Sequence, residues 1–389
     1  MANSNLGAAK KAKNDEFYTQ FTDIQKEIEA YLEYDPDTFR GKVVYCNCDD
    51  PFESNFFRFF TLNFKRLKLK RLITTSYKPS PIDETQLVLT GFDEQIETKP
   101  PLKGRPKTQA KRFIINDVGD YDGDGAFRNE DIAKQLRANR NNEWKPLKGD
   151  GDFRSPECIE LLKQADIVVT NPPFSLFREY IKQLIDHDKK FCIIGNMNAI
   201  TYKEIFPLIR ENKLWVGSRF NKRVNGKNMT FRVPDTYPMH GTEVYKDEEG
   251  NKFVSVAGTG WFTNLDHGRR HQPLGLMTMA DNLKFNKKMA GKEGYDKYVN
   301  YEAIEVPFTD AIPSDYDGEM GVPISFLDKY NPDQFEIVGI SLLLASPMSS
   351  VAAKGTYQQG GRRFYTANTD GTYNRLYDRI VIKHRKASA

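Results

Sequence analysis

Asn171-Pro172-Pro173-Phe174 is the part of this chain whose residue types and order can do chemistry. The four residues directly follow DIVVT (166–170), a short apolar run rich in β-branched side chains. An exocyclic amine conjugated to a base is a poor nucleophile, because its lone pair is delocalised into the ring. A site that accepts both N–H hydrogens lets that nitrogen rehybridise and frees the lone pair. Asn171 Oδ1 can accept one hydrogen and the Pro172 carbonyl the other. Two prolines stiffen the turn and add no competing N–H donor. Phe174 offers a ring face on which an extruded base can stack. The same residues also make an ordinary strand-end turn, so neighbouring motifs must decide between the two.

The turn is similar to motif IV of the S-adenosylmethionine-dependent amino-methyltransferases. That resemblance implies in-line transfer of a methyl group from sulfonium to nitrogen. It implies no metal, because the leaving group is already cationic. Gly151-Asp152-Phe153 looks like motif III, in which an acid accepts a hydrogen bond from the cofactor adenine amine and an aromatic flanks it. Asp150 is an adjacent rival for the acid. Asn14-Asp15-Glu16-Phe17-Tyr18-Thr19 resembles motif X, which covers the methionine end of the cofactor with an aromatic and a hydroxyl. Motif I departs from the usual pattern. The expected Gly-x-Gly turn is replaced by Cys48-Asp49-Asp50-Pro51-Phe52-Glu53-Ser54-Asn55-Phe56. Close backbone approach to a ligand favours glycine, so Ser54 and Asn55 are expected to serve there, with Asp49 or Asp50 holding the methionine ammonium. The next strand ends in Thr75-Ser76-Tyr77, with no acid for ribose hydroxyls.

The blocks NDEFYT, VVYCNCDDPFESNFFRFF, GDFRSPEC, DIVVTNPPFSLFREYI, KFCIIGNMNAITYKEIFPLI, WFTNLDHGRR and GVPISFLDKYNPDQFEIVG occur in this order. Together they resemble the EcoRI-type family of adenine-specific DNA methyltransferases, from about residue 14 to 382. The resemblance implies N6-adenine methylation of duplex DNA at a short site, with base flipping and S-adenosylmethionine as donor. It also implies that the CDDPFESNF loop is a working cofactor loop. On this reading Asn171, Pro172, Pro173 and Phe174 are catalytic. Phe17, Tyr18, Thr19, Asp49, Asp50, Ser54, Asn55, Phe56, Asp152 and Phe153 bind the cofactor. Phe231, in MTFRVP (229–234), is the expected second aromatic of a base clamp, although a core role is equally open to it. Arg269, Arg270, Arg362 and Arg363, with Arg375 and Arg379, are candidate DNA contacts, or else part of a solvated surface. Gly195-Asn196-Met197-Asn198 is expected at the pocket rim. Two other readings stay open: a cofactor-free methyltransferase-fold DNA-binding module, and a methyltransferase acting on RNA or a protein amide.

These residues need elements to hold them. Residues 43–77 read as strand, helix, strand, the βαβ unit of a doubly wound α/β domain. Asp23–Tyr34 has helical spacing with Ile24, Ile28 and Leu32 on one face. Ser155-Pro156-Glu157 reads as a helix start running to Gln164. A strand at 166–170, a helix at 176–187, a strand at 190–195, a helix at 202–212 and a strand at 214–216 follow. The expected fold is an α/β, Rossmann-like class I methyltransferase core with a doubly wound, mostly parallel sheet. An insertion at about 78–148 and a β-rich C-terminal target-recognition region accompany it. The expected parts are a flexible arm (1–13), a catalytic domain (14–217) and a DNA-binding region (218–389).

Composition sets the outer bounds. The chain has 389 residues, 39% hydrophobic and 28% charged. That is a globular balance with length for two or three domains. No apolar run reaches the roughly 18–20 residues of a membrane span, and the polar start with Lys10, Lys11 and Lys13 does not read as a secretory leader. A cytoplasmic protein is expected. Fifty-seven basic against 53 acidic side chains give a net charge of +4, which identifies no partner. The dense clusters Lys65–Arg71 and Lys99–Arg112 fit either a polyanion or a solvated face. Cys46, Cys48, Cys158 and Cys192 lack metal-site spacing and read as free thiols. Asp120–Asp131 has the acid and glycine spacing of a calcium loop, but it follows a strand-like run, so a Gly/Asp turn is the favoured reading. One flipped adenine needs one site, so a monomer is expected, alone or alongside a restriction endonuclease.

Overall fold

The computed structural model describes residues 18–48, 54–76, 110–119, 141–220, 229–233 and 244–385. The chain divides into two units, residues 1–197 with 217–266, and residues 198–216 with 267–389. Residues 217–266 therefore group with the first unit rather than with the C-terminal region expected to begin at 218. Among the described residues no helix is long and apolar enough to cross a membrane.

Short apolar runs without polar alternation build the centre of the first unit. In chain order its elements are β1 (Tyr18–Thr19), α1 (Phe21–Tyr34), β2 (Val43–Cys46), α2 (Asn55–Leu62), β3 (Arg71–Thr75), β4 (Lys111–Ile115), β5 (Glu143–Pro146), α3 (Pro156–Gln164), β6 (Ile167–Thr170), α4 (Phe177–Asp186), β7 (Lys190–Asn196), β8 (Thr230–Arg232), β9 (Val244–Lys246), β10 (Lys252–Ser255) and β11 (Thr259–Thr263). The strands this unit contributes to the large sheet run β5-β4-β3-β2-β6-β7-β11. The middle four, β3-β2-β6-β7, are parallel; β4 and β11 run antiparallel to them, and β5 pairs antiparallel with β4. Chain order runs outward from β2 to β3 on one side and from β6 to β7 on the other. The sheet therefore changes winding direction between β2 and β6, the place where α/β sheets leave a crevice at their carboxyl ends. A smaller antiparallel sheet runs β1-β8-β10-β9.

The centres of the parallel strands are apolar because both sheet faces are covered. Val44, Cys46, Leu72, Ile167, Val169, Cys192 and Ile194 pack with α1 and α2. On the opposite face Tyr45 lies beside Cys158 of α3, and Gly195 abuts the Phe177 ring of α4. Phe56, Phe57, Phe59 and Phe60 drive α2 onto the sheet, each buried, and burial of such a ring contributes roughly 1.5–3 kcal/mol. Ser54 caps that helix, its hydroxyl accepting from Phe56 N and Phe57 N. Ser155 caps α3 in the same way, with Pro156 at the first turn.

One carboxyl sits in this apolar packing. Glu27, on the inner stripe of α1, has 0% exposure. Its Oε1 accepts from the Tyr31 hydroxyl and Ser218 N, both at 2.8 Å, and its Oε2 from Arg219 N at 2.9 Å. Helix α1 thereby holds residues 217–219. The approach is close enough that a Cβ on Gly217 would lie 2.3 Å from Glu27 Oε1.

The second unit is built mainly of short strands. They are β12 (Ile304–Glu305), β13 (Met320–Pro323), β14 (Phe335–Ile340), β15 (Tyr365–Ala367), β16 (Tyr373–Arg375) and β17 (Arg379–His384), with helix α5 (Met279–Phe285). A four-stranded sheet runs β12-β13-β17-β14, and β15 with β16 forms a separate two-stranded ribbon. The helix expected at 202–212 is shorter, Phe206–Arg210, preceded by a 3-10 turn at Met197–Thr201. Pro207 has no N–H to donate, so it suits the first turn of a helix and not its interior.

Candidate functional site

Strand β6 ends at Thr170, and the turn Asn171-Pro172-Pro173 leaves it at the carboxyl edge of the sheet. Phe174–Leu176 forms a 3-10 turn, with Leu176 N donating to Pro173 O at 2.9 Å, and α4 follows directly. Asn171 is 6% exposed and Phe174 is partly buried against the core. The polar turn is thus held inside the protein at the crevice between β2 and β6.

What holds it there is a residue the sequence reading passed over. Asn47 is the first residue beyond β2 and is 2% exposed. Its backbone carbonyl accepts from the Thr170 hydroxyl, and its side-chain Oδ1 accepts from the Tyr180 hydroxyl of α4. Asn47 therefore joins the end of β2, the end of β6 and the helix after the turn. The only local signal was an asparagine ending an apolar strand. Tyr180 is a full turn inside a helix and carried none.

The Gly151-Asp152-Phe153 turn reaches the same helix. Phe153 O accepts from Gln183 Nε2 at 3.0 Å, and the Phe153 ring meets Tyr180 edge-on, with centroids 4.9 Å apart. Gly151 has a φ of +78°, and a Cβ there would lie 1.9 Å from the Ser76 carbonyl oxygen just beyond β3. Only glycine fits, for both conformation and space. Asp152 emerges from this turn with its side chain 18% exposed and paired to Arg154, Oδ2 to Nη2 at 2.5 Å. The Arg154 guanidinium holds the Asp152 carboxyl below its ordinary pKa, so it is an ionised acceptor. Arg154 takes one edge of it, and a carboxylate has further lone pairs to offer. Asp150, the rival, is exposed and folded back on Asp152 N at 3.0 Å.

Thr19 and the start of α2 also meet. Asn55 Nδ2 donates to Thr19 O at 2.7 Å. Thr19 is 3% exposed, and its hydroxyl has no hydrogen-bond partner among the described residues. A buried unsatisfied hydroxyl is costly, and it suits a ligand atom that would complete it. In that respect the residues present fit a polar cofactor tail. Cys48 has a φ of +67°, a left-handed conformation usually left to glycine. Phe17, Asp49 and Asp50 lie outside the described residues, as does the loop 120–131. Of Tyr18, only the backbone in β1 is described.

Several expectations need correction. Phe231 is 0% exposed and points into the core from β8, where it pairs in register with Thr19. Strand alternation turns it inward, so it offers no open face to clamp a base. Phe56 is also core, packed edge-on against Trp261 at 6.0 Å. Phe153 is 4% exposed, covered by Tyr180 and by the Arg154 guanidinium 5.4 Å from its ring centroid. Ser54 spends its hydroxyl on the α2 cap. In the second unit, Arg269 is bidentate to Asp328, with Nη2 to Oδ2 at 2.7 Å. Arg270 is 6% exposed, bonded to Asn212 and stacked 3.6 Å over the Trp215 ring. Arg363 pairs with Asp378 at 2.8 Å and Arg379 with Glu305 at 2.7 Å. These four guanidinium groups are committed within the protein. Arg362 and Arg375 are exposed, with no side-chain ion pair among the described residues.

Comparison with known proteins gives a consistent result. The profile of the family described as adenine-specific methyltransferase EcoRI matches residues 5–385. The chain is 44% identical over 338 residues to the Type II methyltransferase M.EcoRI of Escherichia coli, covering 86% of this chain and 89% of that protein. It is 34% identical over 381 residues to the Type II methyltransferase M.MpnI of Mycoplasma pneumoniae, covering 97% of each. It is 36% identical over 385 residues to the Type II methyltransferase M.MgeORF184P of Mycoplasma genitalium, covering 97% and 98%. No solved structure matches.

Proposed function

The chain belongs to the EcoRI family of adenine-specific methyltransferases, and from that premise we infer that it methylates N6 of adenine at a specific site in DNA. The observation that carries the assignment of roles is the convergence around α4. The Asn171 turn, the end of β2 through Asn47, and the Asp152 turn all meet that helix.

The fold is then a Rossmann-like class I methyltransferase arrangement, with the cofactor across the carboxyl ends of the parallel strands. When bound, S-adenosylmethionine supplies an electrophilic methyl group on a sulfonium sulfur. The Thr19 hydroxyl, with Phe17 and Tyr18, would hold its methionine end. Asp49 or Asp50 would take the ammonium, and Asp152 would accept from the adenine amine. Asn171 Oδ1 and the Pro172 carbonyl accept the two amine hydrogens of a target adenine flipped from duplex DNA, and so aim its lone pair. Pro173 fixes the turn, and Phe174 stacks on the base. Because Tyr180 and Thr170 hold Asn47, the turn is set before substrate arrives, which lowers the cost of orienting the amine. The protein acts as a monomer on one adenine at a time, and a restriction endonuclease for the same site is a fitting companion.

Single-molecule sequencing of DNA from expressing cells, against an empty-vector control, tests this. One short motif carrying N6-methyladenine is expected. Asn171→Ala should lower turnover by roughly 100- to 1,000-fold, the scale seen when one donor or acceptor of the transition state is removed. Duplex affinity should be largely kept. Unmodified adenine from folded protein, or normal turnover by the variant, would overturn the reading.

A further inference from the structure

The second unit carries a cleft of about 500 Å³ between the β15–β16 ribbon and residues 355–358. In the ribbon Tyr365 pairs with Arg375, Thr366 with Asn374 and Ala367 with Tyr373. A third short stretch joins it, with Tyr357 bridged to Tyr373 and Tyr373 N donating to Thr356 O at 2.9 Å. The backbone of this corner is thus well tied, while its side chains are left open. Gln358, Asn374 and Arg375 are exposed along the cleft, and no acid lines it. The two nearby acids are engaged. Asp370 closes its own turn on Thr372, and Asp378 neutralises Arg363. Lys354, Arg362 and Arg375 are exposed without an ion pair among the described residues, so the corner is net positive. Tyr377, at its end, is 90% exposed, far more than any other large exposed hydrophobic side chain among the described residues.

Amide and guanidinium side chains on a two-stranded ribbon are the chemistry of major-groove reading. The groove is wide enough for such a ribbon, Arg pairs bidentately with guanine O6 and N7, and Asn with adenine N6 and N7. Solvated surface charge would not need an amide-rich cleft or an aromatic left bare beside it. We propose that the β15–β16 ribbon reads base edges of the DNA site, with Arg375 and Asn374 as the specificity-determining side chains and Tyr377 lying along the groove wall. The proposal rests on DNA being the substrate, as inferred above.

The test compares wild type with Arg375→Lys, Arg375→Ala and Asn374→Ala on the methylated duplex sequence and on all its single-base-pair variants. It measures kcat/KM on each duplex and the salt dependence of binding. Arg375→Lys keeps the charge and loses the bidentate fork. It should lose roughly ten- to a hundredfold of discrimination at one base pair, with an unchanged salt slope. Asn374→Ala should relax a different position. Melting temperatures equal to wild type confirm that these exposed substitutions leave the fold intact. Wild-type discrimination at every position in Arg375→Lys and Asn374→Ala would overturn the proposal. So would a smaller salt slope in Arg375→Ala with selectivity intact, since that marks a phosphate contact. In both cases methylation by the wild type would stand. A wild type that modifies RNA and no duplex DNA would instead bring down the functional reading itself.

Discussion

Glu27→Gln should remove a pH dependence of stability that the buried carboxyl imposes on the wild type. Burial pushes the Glu27 carboxyl up to about 7 from an ordinary 4.5, against the pull of Tyr31, Ser218 N and Arg219 N. The folded state therefore keeps a proton that the unfolded chain releases. The resulting stabilisation is fully present below about pH 4.5 and is lost as pH rises through about 7. At roughly 1.4 kcal/mol per unit, that rise amounts to a loss on the order of 3 kcal/mol. Glutamine cannot titrate, and its NH2 group must face one of the two backbone N–H donors, at a cost of about 1–3 kcal/mol. The stability of wild type minus that of Glu27→Gln should then be largest near pH 5 and shrink towards pH 8. Urea unfolding followed by tryptophan emission, to which buried Trp261 contributes, measures both proteins across this range. Other carboxylates cancel in the difference. A difference that does not change with pH would refute the reasoning. It would mean that the three donors outweigh burial and keep Glu27 ionised throughout.

Gly151→Ala should destabilise the protein by more than about 2 kcal/mol, since a positive φ and a collision with the Ser76 carbonyl act together. It should also weaken S-adenosylmethionine binding in calorimetry, and normal binding would show that the Asp152 turn is not part of the cofactor site. Tyr180→Phe leaves Asn47 Oδ1 buried without its donor, at a cost of about 1–3 kcal/mol by chemical denaturation. Tyr180 bonds Asn47, which also holds Thr170 before the Asn171 turn, so under the proposed role of that turn kcat should fall while KM for DNA holds. A change in KM alone would assign Tyr180 a different role.

The elements around the site were largely legible in the sequence, because each is a local pattern. DIVVT before Asn171-Pro172-Pro173-Phe174 is a strand followed by residues that cannot extend it. The spacing from Val43 to Thr75 gives strand, helix and strand, which pair in parallel as expected. Ser155-Pro156 starts a helix by satisfying or lacking the N–H groups that a first turn leaves open. Gly151 stood in the Gly151-Asp152-Phe153 block, but its positive φ and its collision partner, Ser76, 75 residues earlier in the chain, showed only in the fold.

What each side chain does once the strands assemble was not legible, because it depends on partners distant in sequence. Arg269 and Arg270 looked like free cations until Asp328, Asn212 and Trp215 were brought against them. Phe231 looked like a base clamp until strand alternation turned it into the core. Glu27 sat in an amphipathic helix as an ordinary charge, and the backbone of Ser218 and Arg219 made it a buried one. Asn47 gained its role only when β2 and β6 became neighbours. The sequence by itself determined the chemistry available to this protein, because residue type and turn rigidity are local properties. The tertiary structure decided which groups are free to use that chemistry, because burial, pairing and charge neutralisation are properties of contacts between segments far apart in the chain.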